Sequence, residues 1–496
     1  MSRINTNPSS LIAQRNLNAN NKALNTTLER LSTGLRINRG KDDPAGLIAS
    51  ENLRAEKGAL SAAIGNAERA DQLVNIAEGG LSEVSGLLAD LRGLVTSTAN
   101  SAGLSGEEKA ANQLQIDSII QTIDRLSDAT NFQGVKLLNG NLDFTATGVN
   151  ANVSDFKINS AKLSGPTQAV STSQTASAQR GSLLVDLNSA TIQTTGGALF
   201  TVELTGAAGS REFAFGNGTT TAQAVTAINQ FRDVTGVSAS VNASGLTLNS
   251  TEFGSEQFVQ ARVVNVAGVA GALVQGTATD ADDYTGTSTA LAASALVRDA
   301  GQDIAGSING LLATGKGRTL KVANDFLDVE ITLSASQATS APGSLAALTI
   351  TGGGANFQLD SKVNLSGRTS VGIQSVSSRK LGNSALGNLS DLASGKDKNV
   401  VSGDLIAAGK VIEEAIKQVS GLRGRLGAFQ KNVVGATIRS LNVSLENSSA
   451  AESVIRDADF AAETAALTRG QILSQAAGNS LGLANSQPQS ALQLLR

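Results

Sequence analysis

The chain has no cysteine, no histidine and no tryptophan, one methionine, one tyrosine and five prolines in 496 residues. Without cysteine there is no disulfide, no thiol nucleophile and no thiolate metal site. Without histidine the commonest general base near neutral pH is gone, and with it any His-Glu-x-x-His zinc helix or Ser-His-Asp triad. Carboxylates, lysines and hydroxyls remain, and they carry no local signature. No enzyme activity, catalytic residue, cofactor or metal is therefore expected. Basic residues are not in excess, since 39 Lys and Arg face 42 Asp and Glu for a net charge of −3, so nucleic acid is not an expected partner. A membrane-spanning helix needs about 20 apolar residues; the longest apolar run, Val263 to Val274, is shorter and holds Asn265. No membrane insertion is expected. Met1 to Pro8 lacks the apolar core of a cleavable signal.

Proline is also absent from 45–165 and from 343–487, as long helices require, because an interior proline costs ~3 kcal/mol. A first helix can start near Ser9 or Ser10. Leu17, Leu24, Leu28, Leu31 and Leu35 then form a coiled-coil type of seam, with polar Asn21 in one slot. After a break at Arg39–Pro44, Asp43 can cap the next helix and Pro44 fits its first position. Leu53, Leu60, Ala67, Val74, Leu81, Leu88 and Val95 follow at seven-residue intervals, with Ala63, Ala70, Ala77, Val84 and Leu91 in the companion seam. A helix of that span is a rod roughly 80 Å long. Gly103 ends it. Ser105 and Glu108 read as a capping box for a third helix running to about Asp128, and Asn131–Gly140 reads as a strand entering a tight turn.

The far end mirrors this pattern. Ile412, Val419, Leu426 and Val433 are heptad-spaced, with Ala415, Leu422, Phe429 and Ala436 as partners. The seam then slips to Val434, Ile438, Leu441 and Leu445, a stutter. Ser449 with Glu452 reads as another capping box that opens a last helix, which Pro488 closes. Between the arms, residues 150–395 are rich in Gly, Ser, Thr and Ala, with short alternating runs such as 199–204, 237–241, 245–249 and 258–264 that read as strands. Helices are expected at Ala222–Arg232 and Ala295–Leu312.

The expected fold is mixed α and β: a long α-helical coiled-coil bundle built from the N- and C-terminal arms, with an inserted β-rich α+β outer lobe. The expected domains are an inner helical core (1–44 and 450–496), a helical bundle with a β-hairpin (45–180 and 395–449), and a variable surface-exposed region (181–394). Ordering the ~80 outermost residues costs on the order of 80–160 kcal/mol in backbone entropy, more than two narrow seams offset. The inner core is thus expected to be disordered in the monomer and to fold when neighbouring copies supply the missing surface. The basic N-terminal arm (Arg3, Arg15, Lys22, Arg30, Arg36, Arg39) is expected to pair with acids of neighbouring copies such as Asp457 and Asp459. A head-to-tail contact that does not close propagates as a helical filament.

These ends carry a resemblance. Leu31-Ser-Thr-Gly34-Leu35-Arg36-Ile37-Asn38, with Asp42, Asp43, Ala45, Gly46 and Leu47, resembles the N-terminal signature of bacterial flagellin. Leu426-Gly-Ala-Phe429-Gln430, Ile455-Arg456-Asp457-Ala-Asp459-Phe460 and the closing Leu494-Leu495-Arg496 resemble its C-terminal signature, and Thr220–Ser250 resembles a motif of flagellin variable regions. The resemblance implies a filament subunit of the bacterial flagellum, a passive helical propeller for motility, with these signature residues packing the filament. It also implies type III flagellar export without a cleaved signal, an extracellular location, and an export chaperone, filament cap and hook-junction proteins as partners. Alternatives of the same architecture are a hook–filament junction protein, or a filament subunit whose lobe acts as an adhesin. Flagellins further carry a patch recognised by an animal innate immune receptor; alignment places Asp90, Leu94 and Gln115 there, with Arg92 nearby. The family's recognised form has Arg and Glu where this chain has Asp90 and Gln115, so weakened recognition is expected.

Overall fold

The structure, a computed structural model, describes residues 6–100, 103–276, 284 and 286–494, with backbone alone for 488–494. Among the described residues the α-helices are α1 (Pro8–Thr33), α2 (Pro44–Thr98), α3 (Gly106–Ala129), α4 (Thr221–Gln230), α5 (Arg232–Thr235), α6 (Ala335–Thr339), α7 (Leu405–Ala428), α8 (Gly435–Arg456) and α9 (Phe460–Leu494). Helical arms flank a β-rich centre, as the composition anticipates. The chain forms two compact units, one of Met1–Gln72, Phe357–Arg368 and Ala428–Arg496, the other of Leu73–Asn356 and Thr369–Gly427.

In the first unit, α1 starts with Pro8 in its first turn and ends at Gly34 in the left-handed conformation (φ 75°), whose N–H donates to the Arg30 carbonyl. It pairs with α9, yet none of its residues is buried. The α2 seam residues Leu60 and Ala63 pack with Leu441 of α8, and Ala67 and Ala70 pack with Val434 and Leu359. The stutter expected near Val434 has a backbone cause. Residues Phe429–Val434 form a π-helical turn, which absorbs one extra residue so that the apolar seam resumes on the same face.

Two expectations about the C-terminal arm are corrected. Ser449 caps nothing, because α8 runs through it to Arg456. Ala450 and Ala451 favour the helix there, and Glu452 reaches Lys57 at 2.8 Å instead of folding back. Nor does Pro488 end the last helix, for α9 continues to Leu494. A proline at 488 leaves the carbonyl four residues earlier without its donor. That carbonyl is Ala484 O, and the Asn7 side-chain amide donates to it at 2.7 Å.

In the second unit the seams of α2, α3 and α7 are buried, including Leu81, Leu88, Ile116, Ile123, Ile412, Val419 and Leu426. Ser105 and Glu108 form the expected capping box. The hairpin Asn131–Lys136 turns at Gln133 and Gly134, both at positive φ (51° and 84°), the tight two-residue geometry that suits strand twist. An eight-stranded sheet follows, with strands in the order 144–147, 344–353, 168–176, 305–308, 311–316, 319–323, 327–333 and 153–161. It spans the residue 180/181 boundary expected from composition.

Residues 182–300 add two further sheets, a five-stranded one around Ser182–Asp186 and a four-stranded one around Phe258–Asn265 and Phe200–Gly206. With α4 they enclose one core that includes Phe200, Leu204, Ile228, Leu248 and Val263. The expected helix at Ala295–Leu312 is absent. Strands Leu296–Ala300, Ala305–Ile308 and Leu311–Lys316 occupy it, since Asn309-Gly310 supplies a positive-φ turn. Gly306 also lies so close to its neighbour strand that a Cβ would stand 2.4 Å from Ser173 O.

Candidate assembly interface

The two signature segments meet in the first unit. Leu35 and Asp457 form an isolated antiparallel bridge. Arg36 N donates to Arg456 O at 2.7 Å, and Ala458 N donates to Gly34 O at 2.9 Å. The Arg36 guanidinium adds a bond to Ile455 O at 2.5 Å. Gly34 lets the chain leave α1 sharply, and the residues after it lie along the break between α8 and α9. Ile37 is 1% exposed and Leu31 half-buried.

The acidic signature residues act as local fasteners. Asp42 Oδ2 accepts from the backbone N–H groups of Asn38 and Arg39 at 3.2 and 2.9 Å. The Arg39 bond is the main cause that holds its carboxyl below the ordinary value of 3.8. Asp43 Oδ1 accepts from Gly46 N at 2.8 Å and caps α2. Asp459 Oδ1 accepts from Ala461 N at 2.9 Å and caps α9, while Asp457 accepts from the Ser453 hydroxyl. Asn38 donates to Leu35 O.

Several arginines of the two arms also have acidic partners within the chain. Arg30 pairs with Glu463 at 3.0 Å, Arg36 with Asp43 at 3.9 Å, Arg39 with Glu29 at 2.8 Å and Arg456 with Glu51 at 3.4 Å, all within the chain. Asp457 and Asp459 are committed to backbone and hydroxyl donors close in sequence. Arg3, Leu495 and Arg496 lie outside the described residues, and only the backbone of Leu494 is described.

The joint holds backbone together and leaves apolar side chains over. Leu11, Ile12 and Leu28 of α1 are exposed, as are Phe460, Ile472, Leu473 and Leu483 of α9. Aliphatic and aromatic groups facing water on two paired helices mark a contact surface. Phe429 is half-buried in the same unit. Leu426 is fully buried in the second unit, as a core residue of α7.

Comparison with known proteins bears on this arrangement. Residues 4–143 match the bacterial flagellin N-terminal helical region and 410–495 the C-terminal helical region, while 200–252 match the flagellin hook IN motif. The chain is 32% identical to the B-type flagellin of Pseudomonas aeruginosa, the alignment covering 99% of both. The chain belongs to the bacterial flagellin family. A flagellin of Salmonella typhimurium is 30% identical, again over 99% of each chain. Among solved structures, FliC from Burkholderia pseudomallei is 15% identical, covering 73% of this chain and 99% of its own, with a TM-score of 0.23.

Of the residues expected to correspond to a receptor patch, Asp90 and Gln115 are exposed and Leu94 is half-buried, and Arg92 nearby is exposed. Arg92 is bound to Glu413 at 3.1 Å. Sequence reasoning passed over Gln113, which is buried on α3 and donates to Leu392 O while accepting from Val400 N. Its signal is a polar residue three before Ile116 in the apolar face. It also passed over the loop Phe357–Arg368 on the first unit's helices, for which the local sequence gives no sign.

Proposed function

We infer that this flagellin-family chain is the structural subunit of the bacterial flagellar filament, a helical polymer of its own copies that acts as a passive propeller outside the cell. The observation that carries it is the pair α1 and α9, bound through backbone at their joint while their leucines and isoleucines face water. A helix without a single buried residue is weakly held in isolation, because helices draw most of their stability from packing. We therefore read 1–44 and 450–496 as an inner core that orders on assembly. The signature residues from Leu31 to Asp43 and from Arg456 to Phe460 shape this core, and Leu494, Leu495 and Arg496 belong to it. Flagellar type III export without signal cleavage, an export chaperone, a filament cap and hook-junction proteins complete the reading. Asp90 and Gln115 weaken innate-receptor recognition in it.

Amide exchange on the purified protein tests the reading. Dilute monomer should exchange α1 and α9 within seconds, whereas seeded material seen as long fibres by electron microscopy should protect them for hours. A chain trimmed of 1–44 and 450–496 should stay folded and form no fibres. Strong protection of both helices in dilute monomer would refute coupled ordering, and failure of the intact chain to form fibres would refute the filament reading.

A further inference from the structure

A loop from the middle of the chain, Phe357–Arg368, lies within the first unit. Phe357 packs its ring 5.9 Å from that of Phe429, and Leu359 is buried with Ala67, Ala70 and Val434. The loop is closed on itself. Leu359 N donates to Gly367 O at 2.9 Å, Gln358 Nε2 donates to Lys362 O at 2.7 Å, and Gly367 N donates to Asn364 Oδ1 at 2.7 Å. At its tip Val363 is 92% exposed, the highest value for a large apolar residue among those described. Lys362 beside it is exposed too. A loop this well bonded holds an aliphatic group in water where a floppy one could fold it inward.

A matching surface exists on α8. Its inner side faces α2 through Leu441 and Leu445. On the opposite side Arg439, Val443 and Glu446 are exposed, and their spacing of four and three puts them in one stripe. Asp360, Lys362, Arg439 and Glu446 have no ion pair within the chain among the described residues. The loop thus reads acid, base, valine, and the stripe reads base, valine, acid.

We propose that the loop tip of one copy docks on the α8 stripe of a second copy, with Val363 on Val443, Lys362 beside Glu446 and Asp360 beside Arg439. The proposal rests on the filament reading above. Its two surfaces differ, so the contact is heterologous, and such contacts repeat along an open polymer instead of closing a dimer. The pre-formed loop loses little conformational freedom on docking. Residues 357–368 lie outside the matched terminal regions, whereas the α8 stripe lies inside 410–495, so this contact would set inserted sequence against a helix of the matched region.

Seeded growth of the full chain measures the critical concentration, and far-UV circular dichroism checks the fold. Val363→Asp should raise the critical concentration roughly tenfold with an unchanged spectrum, because Val363 has almost no neighbours to lose. Lys362→Glu should raise it a few-fold, and adding Glu446→Lys should restore it. Because the chain has no cysteine, the pair Val363→Cys with Val443→Cys gives an unambiguous readout. Oxidised filaments should yield a ladder of covalent multimers. Parent-like growth of Val363→Asp, or oxidised filaments without a ladder, would overturn the contact while leaving the filament reading intact. A bridge formed inside the dilute monomer would also overturn it, placing the loop on its own α8. Failure of the parent chain itself to polymerise would strike the filament reading instead.

Discussion

Gly46 and Gly58 both lie in α2, where alanine is the better helix former by about 1 kcal/mol. Their surroundings reverse that preference at one of them. A Cβ at Gly58 meets nothing within 4 Å, whereas at Gly46 it would stand 2.4 Å from Asp43 Oδ2 and 2.7 Å from Ile37 Cδ1. In assembled filaments, where 1–44 is ordered, Gly58→Ala should stabilise by about 0.5–1 kcal/mol and Gly46→Ala should destabilise by about 1–3 kcal/mol, both read from the heat stability of the filaments. Equal signs would show that the cap is not packed as described. Asn7 does two things at once, accepting from Ser10 N at 3.1 Å and donating to Ala484 O. Asn7→Ala should lower the heat stability of filaments by about 1–2 kcal/mol. Asn7→Asp, which keeps the acceptor and loses the donor, should fall between. In the second unit burial pushes the Asp143 and Asp155 carboxyls above the ordinary 3.8, against the Phe144 N–H bond and Lys157 respectively. An acid that holds its proton more tightly when folded stabilises most below its unfolded pKa, and that contribution is lost as pH rises through the folded value. Asp143→Asn should therefore raise the unfolding midpoint at pH 7 and leave it unchanged at pH 3. A gain of equal size at both pH values would count against this cause.

Among the elements, long helices were legible and short strands were legible in part. A heptad seam is a one-dimensional signal, so Leu60 through Val95 announced their buried face before any contact was known. The stutter announced itself for the same reason, since Leu426 and Val434 are eight residues apart where seven are expected. Removing Lys431 should restore that interval, replace the π turn with α-helical bonding, and cost less than about 1 kcal/mol. Removing Ser444 instead would turn the rest of α8 by about 100° and should abolish folding of the arm. Limited proteolysis with amide exchange separates the two outcomes; equal damage from both deletions would mean the π turn is not what keeps the seam in phase. Contacts between distant segments were not legible. The run 295–312 has helix-forming residues, yet the Ser173 strand and the Asn309-Gly310 turn decide for strands. Gln113 meets Leu392 across 279 positions, and the loop at Val363 meets α2 across a similar span. The pairs Arg30–Glu463 and Arg456–Glu51 were not legible either, because they join the two ends of the chain across a backbone contact, Leu35 to Asp457, that no periodicity encodes.

For the whole molecule, the layout of its strands fixes what can be removed. Five of the eight strands of the large sheet come from residues 305–353, so excising 181–394 strips every sheet partner from strands 144–147, 153–161 and 168–176. That deletion should aggregate. Residues 181–300 are different. Gln179 N donates to Gln302 O at 2.8 Å and Gln302 N to Gln179 O at 3.1 Å, so the chain departs and comes back at one hydrogen-bonded crossing. Joining Arg180 to Gly301 through a short turn should leave a soluble chain that still grows fibres, as sedimentation and negative-stain imaging would show. A misfolded product would mean that this lobe is needed for the sheet to form. That same crossing gives the chain a socket. A foreign protein whose own termini sit side by side could be spliced there, and each subunit would carry one cargo at a regular pitch along the fibre.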